Sequence, residues 1–268
     1  MKKICVVVLS RANYSSIKSV LAGIKSHPEL RLQLVLGASA LLDRYGMVAE
    51  LIKQDGFSVE EEIFGCVEGN APEVMAKTTG VLLIELSSTF KRLKPDLVIT
   101  VGDRYETMAT TLAAAYMNIP LAHTMGGEVT GTIDESIRHA ITKFSHLHFP
   151  ASSDAALRIS KLGEIKESIH NVGCPRIDLV SQFLAEPLDT SVINSFLNSE
   201  GIGSSLDISK NFLLVSQHPV TTEFIDGEPQ MMSTLLAVKQ TNIQAIVLWP
   251  NVDAGSEGTS RAIRKFRE

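Results

Sequence analysis

The sequence predicts an α/β protein built on a doubly wound parallel sheet, followed by a second, incomplete α/β domain. Three observations carry that prediction. Short runs of apolar and β-branched residues alternate with longer segments of helical period. The runs are continuously apolar rather than alternating, which is the pattern of strands covered on both faces. After residue 172 the composition turns polar, and only a short β-α-β pattern follows it.

The first run, residues 4–9 (ICVVVL), follows Met1-Lys2-Lys3 and briefly looks like a signal peptide. It is ended by Arg11 without a small-residue cleavage site, so a buried first strand explains it better. Further strands are expected at 32–37 (LQLVLG), 97–101 (LVITV), 119–123 and 147–149. Helical period runs over 15–26, 49–54, 72–93, 105–117, 135–144 and 154–162. The short turns between these elements fit βα loops. Residues 1–172 therefore read as one N-terminal Rossmann-like domain. Residues 173–210 read as a linker or peripheral segment, because 185–210 is polar and rich in Ser, Gly and Asn. Within 211–268 a strand at 212–215 (FLLV), a helix near 230–240, a strand at 246–249 (IVLW) and a helix at 260–266 are expected. Two strands and two helices do not complete a doubly wound domain, so this second Rossmann-like domain reads as partial.

Composition narrows the function classes. A length of 268 residues suggests two domains at about 150 residues each. With 44% hydrophobic and 21% charged residues, the chain is neither disordered nor a coiled coil. The net charge is −5 and no basic block stands out, which argues against a nucleic-acid partner. Cys5, Cys66 and Cys174 are odd in number and widely spaced, so neither a disulfide framework nor a zinc knuckle is expected, and a reducing cytoplasm suits them. No stretch approaches about 18 uninterrupted apolar residues, so no membrane span is expected.

Chemistry is expected at the carboxyl ends of the strands, where the strand order reverses. In the common order the first and fourth strands are neighbours there. The loop Ser10-Arg11-Ala12-Asn13-Tyr14-Ser15 should then face Gly102-Asp103-Arg104. Each offers an arginine beside a helix start, where free N–H groups and a bidentate guanidinium suit an anion. The alternative is that both arginines are solvated helix-start residues. Neither the dinucleotide fingerprint nor a phosphate loop of P-loop type is present, which disfavours a nicotinamide dehydrogenase and a P-loop NTPase. Gly126-Gly127 after the next strand would allow close backbone approach to a ligand. Asp134 is either a helix N-cap or a carboxylate aimed at the same crevice for proton transfer. His146 and His148 alternate on one strand, but no third ligand lies near them and no metal site is expected. His218 either donates to a phosphate or fills a strand-end turn.

Taken together, these motifs resemble the hydrolysing UDP-N-acetylglucosamine 2-epimerases, which open sialic acid synthesis. The carrying residues are Arg11-Ala12-Asn13-Tyr14-Ser15, Gly102-Asp103-Arg104, Gly126-Gly127-Glu128-Val129-Thr130-Gly131-Thr132-Ile133-Asp134 and Ser136-Ile137-Arg138-His139-Ala140-Ile141-Thr142-Lys143. Gly173-Cys174-Pro175, Gln217-His218-Pro219-Val220-Thr221-Thr222 and Pro250-Asn251-Val252-Asp253-Ala254-Gly255-Ser256 extend the match almost to the end of the sequence. The resemblance implies a glycosyltransferase-B type fold, with 211–268 contributing to nucleotide binding. It also implies C2 deprotonation, loss of UDP to give a glycal, and hydration that releases N-acetylmannosamine. No metal or redox cofactor is implied. By the same resemblance, Arg11, Ser15, Arg104, His218 and Asn251 contact the nucleotide sugar, and Asp103 and Asp134 are catalytic carboxylates. A cytoplasmic homodimer or homotetramer is the implied assembly.

Two departures from the family pattern stand out. Met125 occupies a position that is glutamate in many relatives and cannot transfer a proton, which makes Glu128 the nearest replacement. The family also continues beyond the point where residue 268 stands, so the chain reads as C-terminally truncated and is expected to turn over poorly alone. The remaining alternatives are a GDP-N-acetylglucosamine or diacetamido-sugar 2-epimerase for a legionaminic-type acid, an inactive nucleotide-sugar-binding fragment, and a glycosyltransferase.

Overall fold

A computed structural model describes residues 1–69 and 71–267. The chain divides into two compact units, one formed by Met1–Glu68 and Glu73–Ser181 and the other by Gly69–Pro72 and Gln182–Glu268. In the first unit six strands form one parallel sheet: β1 (Lys2–Val8), β2 (Leu30–Gly37), β3 (Glu61–Ile63), β4 (Leu97–Val101), β5 (Leu121–Thr124) and β6 (Leu147–Phe149). Their order is β3-β2-β1-β4-β5-β6, so the direction of winding reverses between β1 and β4. Helices α1 (Arg11–Ser15), α2 (Lys18–Ser26), α3 (Val48–Gln54), α4 (Pro72–Leu93), α5 (Tyr105–Tyr116), α6 (Ile133–Phe144), α7 (Ser153–Lys161) and α8 (Pro175–Leu184) connect and follow the strands. The sequence and the structure agree on an α/β fold wrapped on both faces.

The wrapping follows from how β1 divides its side chains. Ile4, Val6 and Val8 enter a core with Leu34, Leu36, Ile99 and Val101. Cys5, Val7 and Leu9 enter a second core with Leu82, Leu86 and Phe90 of α4. Successive side chains of a strand point to opposite faces, so only a strand apolar at every position can fill both cores. Cys5 is fully buried at this centre, and burial pushes its thiol up to about 12.

Four elements differ from the sequence expectations. β3 was not expected, because Glu61-Glu62-Ile63 shows no apolar run; it is an edge strand paired with β2 at Val35↔Glu61, and an edge tolerates charge. The helix expected over 15–26 is α2, starting only at Lys18, and a separate helix, α1, precedes it over Arg11–Ser15, with the break at Ile17 (φ −131, ψ −7). The polar stretch after residue 172 holds the helix α8 and, in the second unit, α9 (Thr190–Glu200). The α9 start is capped by the Asp189 carboxylate, which accepts from the N–H groups of Ser191 and Val192. The first unit runs on to Ser181, past the expected break at 172. Arg176 Nε donates to Ser16 Oγ at 2.6 Å, and the Ser19 hydroxyl lies 3.3 Å from the Asp178 carboxylate, which explains why the start of α8 belongs with the first unit.

The second unit adds β7 (Phe212–Val215), α10 (Gly227–Gln240), β8 (Gln244–Val247) and α11 (Ser256–Arg267). β7 and β8 form a two-stranded parallel sheet. Its core is small, with Met231, Leu235 and Ala262 buried against Val215, Val247 and Phe266. Among the described residues no helix is long and apolar enough to cross a membrane.

Candidate functional site

The reversal of winding leaves a crevice between the carboxyl ends of β1 and β4, and the side chain of Asn13 bridges its floor. Ser10 caps α1 by accepting from the Asn13 N–H, which turns Asn13 inward. Its Oδ1 then accepts from Leu9 N at 3.2 Å and its Nδ2 donates to Val101 O at 3.2 Å. One buried amide thus satisfies a backbone group from each strand end, and the two loops expected to face each other do so.

Above this floor is a small pocket of about 60 Å³. It is lined by Ala12, Asn13 and Ser16 from the first loop and by Val101-Gly102 from the second. Its charged lining residues are Asp103, Arg104, Glu128, Arg138 and Arg176, with Met125 beside them. Arg138, on α6, donates to the Asp103 carboxylate and, at 2.8 Å, to the Glu128 carbonyl. Arg138 is 3% exposed, and burial lowers the pKa of its guanidinium. Arg104 Nε donates to the fully buried Glu106 carboxylate at 2.7 Å. Arg176 hydrogen-bonds the neutral Ser16 hydroxyl and the Ala12 carbonyl. The pocket therefore presents guanidinium groups fixed by internal partners, a carboxylate held in an ion pair, and a second acidic lining residue, Glu128. Such a set suits an anionic ligand and a proton transfer. Among the described residues, no group of three or more His, Cys, Asp or Glu side chains is arranged to hold a metal.

The sequence-derived candidates fall in three places. Asp103, Arg104 and Glu128 line the pocket. Arg11 and Ser15 are exposed on α1 next to it, and the Ser15 hydroxyl donates to Ala12 O. Asp134 is half-buried as the second residue of α6, whose N-cap position is taken by Thr132. Asp134 lies outside the lining residues, and its carboxylate is 3.4 Å from the Thr132 hydroxyl. His218 and Asn251 belong to the second unit, where the Asn251 N–H donates to His218 Nδ1 at 3.2 Å. A neutral His218 then carries its hydrogen on Nε2, as a donor.

The paired glycines serve packing rather than ligand approach. A Cβ on Gly126 would stand 2.9 Å from His123 Nδ1, and one on Gly127 would stand 2.3 Å from the Ala155 carbonyl oxygen of α7. Gly127 also has φ +80. Both absences of a side chain are therefore filled by neighbours in the fold. His146 is exposed and accepts from Leu121 N, whereas His148 is buried beside Glu164.

Four site residues were missed by reasoning from sequence: Asn13, Glu106, Arg138 and Arg176. Each lay within or next to a quoted motif. For Arg138 a signal existed, since it stands four residues after Asp134 on one helix face.

Comparison with known proteins supplies the family. The profile described as UDP-N-acetylglucosamine 2-epimerase matches residues 22–268. A hydrolysing UDP-N,N'-diacetylbacillosamine 2-epimerase of Legionella pneumophila is 34% identical over 99% of this chain and 68% of its own length. A hydrolysing GDP/UDP-N,N'-diacetylbacillosamine 2-epimerase of Campylobacter jejuni is 28% identical over 96% of this chain and 64% of its own. The crystal structure of the Neisseria meningitidis UDP-GlcNAc 2-epimerase bound to UDP-GlcNAc superposes with a TM-score of 0.79 at 15% identity, covering 98% of this chain and 70% of that one. The chain thus spans about two thirds of the length of the curated relatives it matches. Over that span it belongs to the UDP-N-acetylglucosamine 2-epimerase family.

Proposed function

We propose that the protein is a hydrolysing 2-epimerase that converts UDP-N-acetylglucosamine to N-acetylmannosamine and UDP, for the synthesis of a sialic or related nonulosonic acid in the cytoplasm. The observation that carries this reading is the Asp103–Arg138 ion pair beside Glu128, in a pocket walled by arginines. In the reaction a carboxylate removes the C2 proton, the electrons form a C1–C2 double bond, and the C1–O bond to the diphosphate breaks with its electron pair leaving on UDP. Water then returns a hydroxyl to C1 and a proton to C2 from the opposite face, which gives the free epimeric sugar. Asp103 is engaged by Arg138, so we assign removal of the C2 proton to Glu128, the lining carboxylate outside that pair. Arg104 and Arg176 suit the charge that develops on the leaving diphosphate. Asp134 is assigned to the return of a proton. Arg11, Ser15, His218 and Asn251 are assigned to nucleotide and phosphate contacts, and a homodimer or homotetramer is the proposed assembly.

A second reading keeps this chemistry and changes the sugar to a diacetamido one, which the 34% identity to the L. pneumophila relative favours. One experiment separates these outcomes. The purified protein is incubated in parallel with UDP-N-acetylglucosamine, UDP-N,N'-diacetylbacillosamine and the GDP-linked forms, in D2O, and followed by proton NMR. Release of free N-acetylmannosamine with deuterium at C2 supports the first reading, and turnover of the diacetamido substrate alone supports the second. Intact nucleotide sugar with no C2 exchange in every arm overturns both.

A further inference from the structure

His123 lies on β5 with no solvent exposure, away from the pocket lining. Its Nε2 is 2.7 Å from the Gly102 carbonyl oxygen, and its Nδ1 is 3.3 Å from Thr142 Oγ1. A carbonyl only accepts, so Nε2 carries the ring hydrogen. Burial pushes the pKa of the ring down to about 4, against the opposing Gly102 bond, so at neutral pH Nδ1 is bare. Nδ1 then faces the Thr142 hydroxyl, whose single hydrogen lies between this nitrogen and the Arg138 carbonyl. Both ring nitrogens are occupied within the fold, which leaves the ring unsuited to proton shuttling or to metal binding.

The two partners of this ring carry the two members of the ion pair. Gly102 immediately precedes Asp103 and has φ +72, so its peptide orientation sets the direction in which Asp103 leaves β4. Thr142 lies one helical turn beyond Arg138 on α6, and its hydroxyl oxygen is also 3.0 Å from the Arg138 carbonyl. The missing Cβ of Gly126 makes room for this junction, since it would stand 2.9 Å from Nδ1 and 3.0 Å from the Thr142 hydroxyl. We propose that His123 is a positioning residue for the Asp103–Arg138 pair, fixing the loop that bears the carboxylate and the helix that bears the guanidinium to one another through the two nitrogens of a single ring. The proposal rests on the reading of this pocket as the catalytic one. His123 touches no substrate and acts through Gly102 and Thr142.

The test uses H123Q and H123L in the protein as it stands. Glutamine places an amide N–H where Nε2 stands, whereas leucine fills the space without a donor. For H123L, kcat is expected to fall about tenfold or more with KM for UDP-N-acetylglucosamine nearly unchanged. H123Q should recover most of kcat. A folded H123L with full kcat, or an H123Q as impaired as H123L, overturns the proposal. Two readouts do not depend on turnover and so separate this proposal from the functional reading. Nitrogen-15 histidine NMR should show His123 neutral with hydrogen on Nε2 from pH 5 to 8. The slowly exchanging Arg138 guanidinium protons should persist in H123Q and vanish in H123L. A His123 with hydrogen on Nδ1, or Arg138 signals unchanged in H123L, overturns the proposal even if every substrate arm is silent.

Discussion

Arg138 reaches the Asp103 carboxylate from a side chain 3% exposed, while Asp103 keeps 27% of its own side chain open to the pocket. The cation is the hidden member of the pair and the anion the accessible one. Removing the anion therefore strands a buried charge, whereas removing the cation frees a carboxylate that water can reach.

From that asymmetry, D103N is expected to cost about 2 kcal/mol of stability, since the buried guanidinium exchanges a charged acceptor for a neutral one. Turnover should fall about 100-fold, since without the pair Arg138 and the loop of Glu128 that it holds can shift by about 1 Å. Thermal unfolding and the NMR assay measure the two effects, and a variant with normal melting and ordinary turnover would contradict both.

Asn13 is 4% exposed and serves backbone groups at the ends of both β1 and β4. N13A leaves a buried N–H and a buried carbonyl without their partner, and should cost about 2–3 kcal/mol in urea denaturation. A loss under 0.5 kcal/mol, which is the range of an ordinary surface substitution at roughly ±0.5 kcal/mol, would show that water replaces the amide.

The two adjacent glycines should differ in sensitivity. In G126A the new methyl meets side-chain atoms, the His123 ring and the Thr142 hydroxyl, rather than backbone, so a loss of about 1–3 kcal/mol is expected. In G127A it meets helix backbone at 2.3 Å in a left-handed conformation, so G127A should be the worse of the two. Melting temperatures in the reverse order would refute the packing account.

Burial lowers the pKa of both His123 and His148, in each case against an opposing hydrogen bond or charge. Their unfolded value is about 6.5, so below that pH the unfolded chain binds more protons than the folded one. Stability is then complete above about pH 6.5 and falls as the pH drops towards 4. His123 alone contributes a loss on the order of 3 kcal/mol across that window. Chemical denaturation at pH 7.5 and pH 4.5 tests this, and a stability that rises on acidification would exclude it.

Much of this architecture is written in hydrophobic periodicity. The 97–101 and 147–149 strands coincide with β4 and β6, whose apolar residues stay readable despite Thr100 and His148. β3 escaped because an edge strand of glutamates carries no such pattern, and the break at Ile17 escaped because no glycine or proline marks it. In the site, Asp103 and Arg104 were legible from their place after a strand, and Glu128 only as the acidic residue nearest Met125. Asn13 and His123 were not, since a polar side chain that turns inward to satisfy backbone has the same sequence appearance as one that faces water. The glycine pair was legible as a constraint, but whether a ligand or the fold itself fills the space depends on contacts that only the tertiary structure defines.

Cys5, at the centre of the sheet, gives the fold its own clock. The three thiols are free, with Cys66 and Cys174 partly exposed and Cys5 sealed between two apolar cores at a pKa near 12. A thiol so placed reacts only as the thiolate, and only once the central strand has parted from its neighbours. The rate at which an alkylating reagent claims this third thiol, after the first two are consumed, is therefore a measure of how often the centre of the first unit opens.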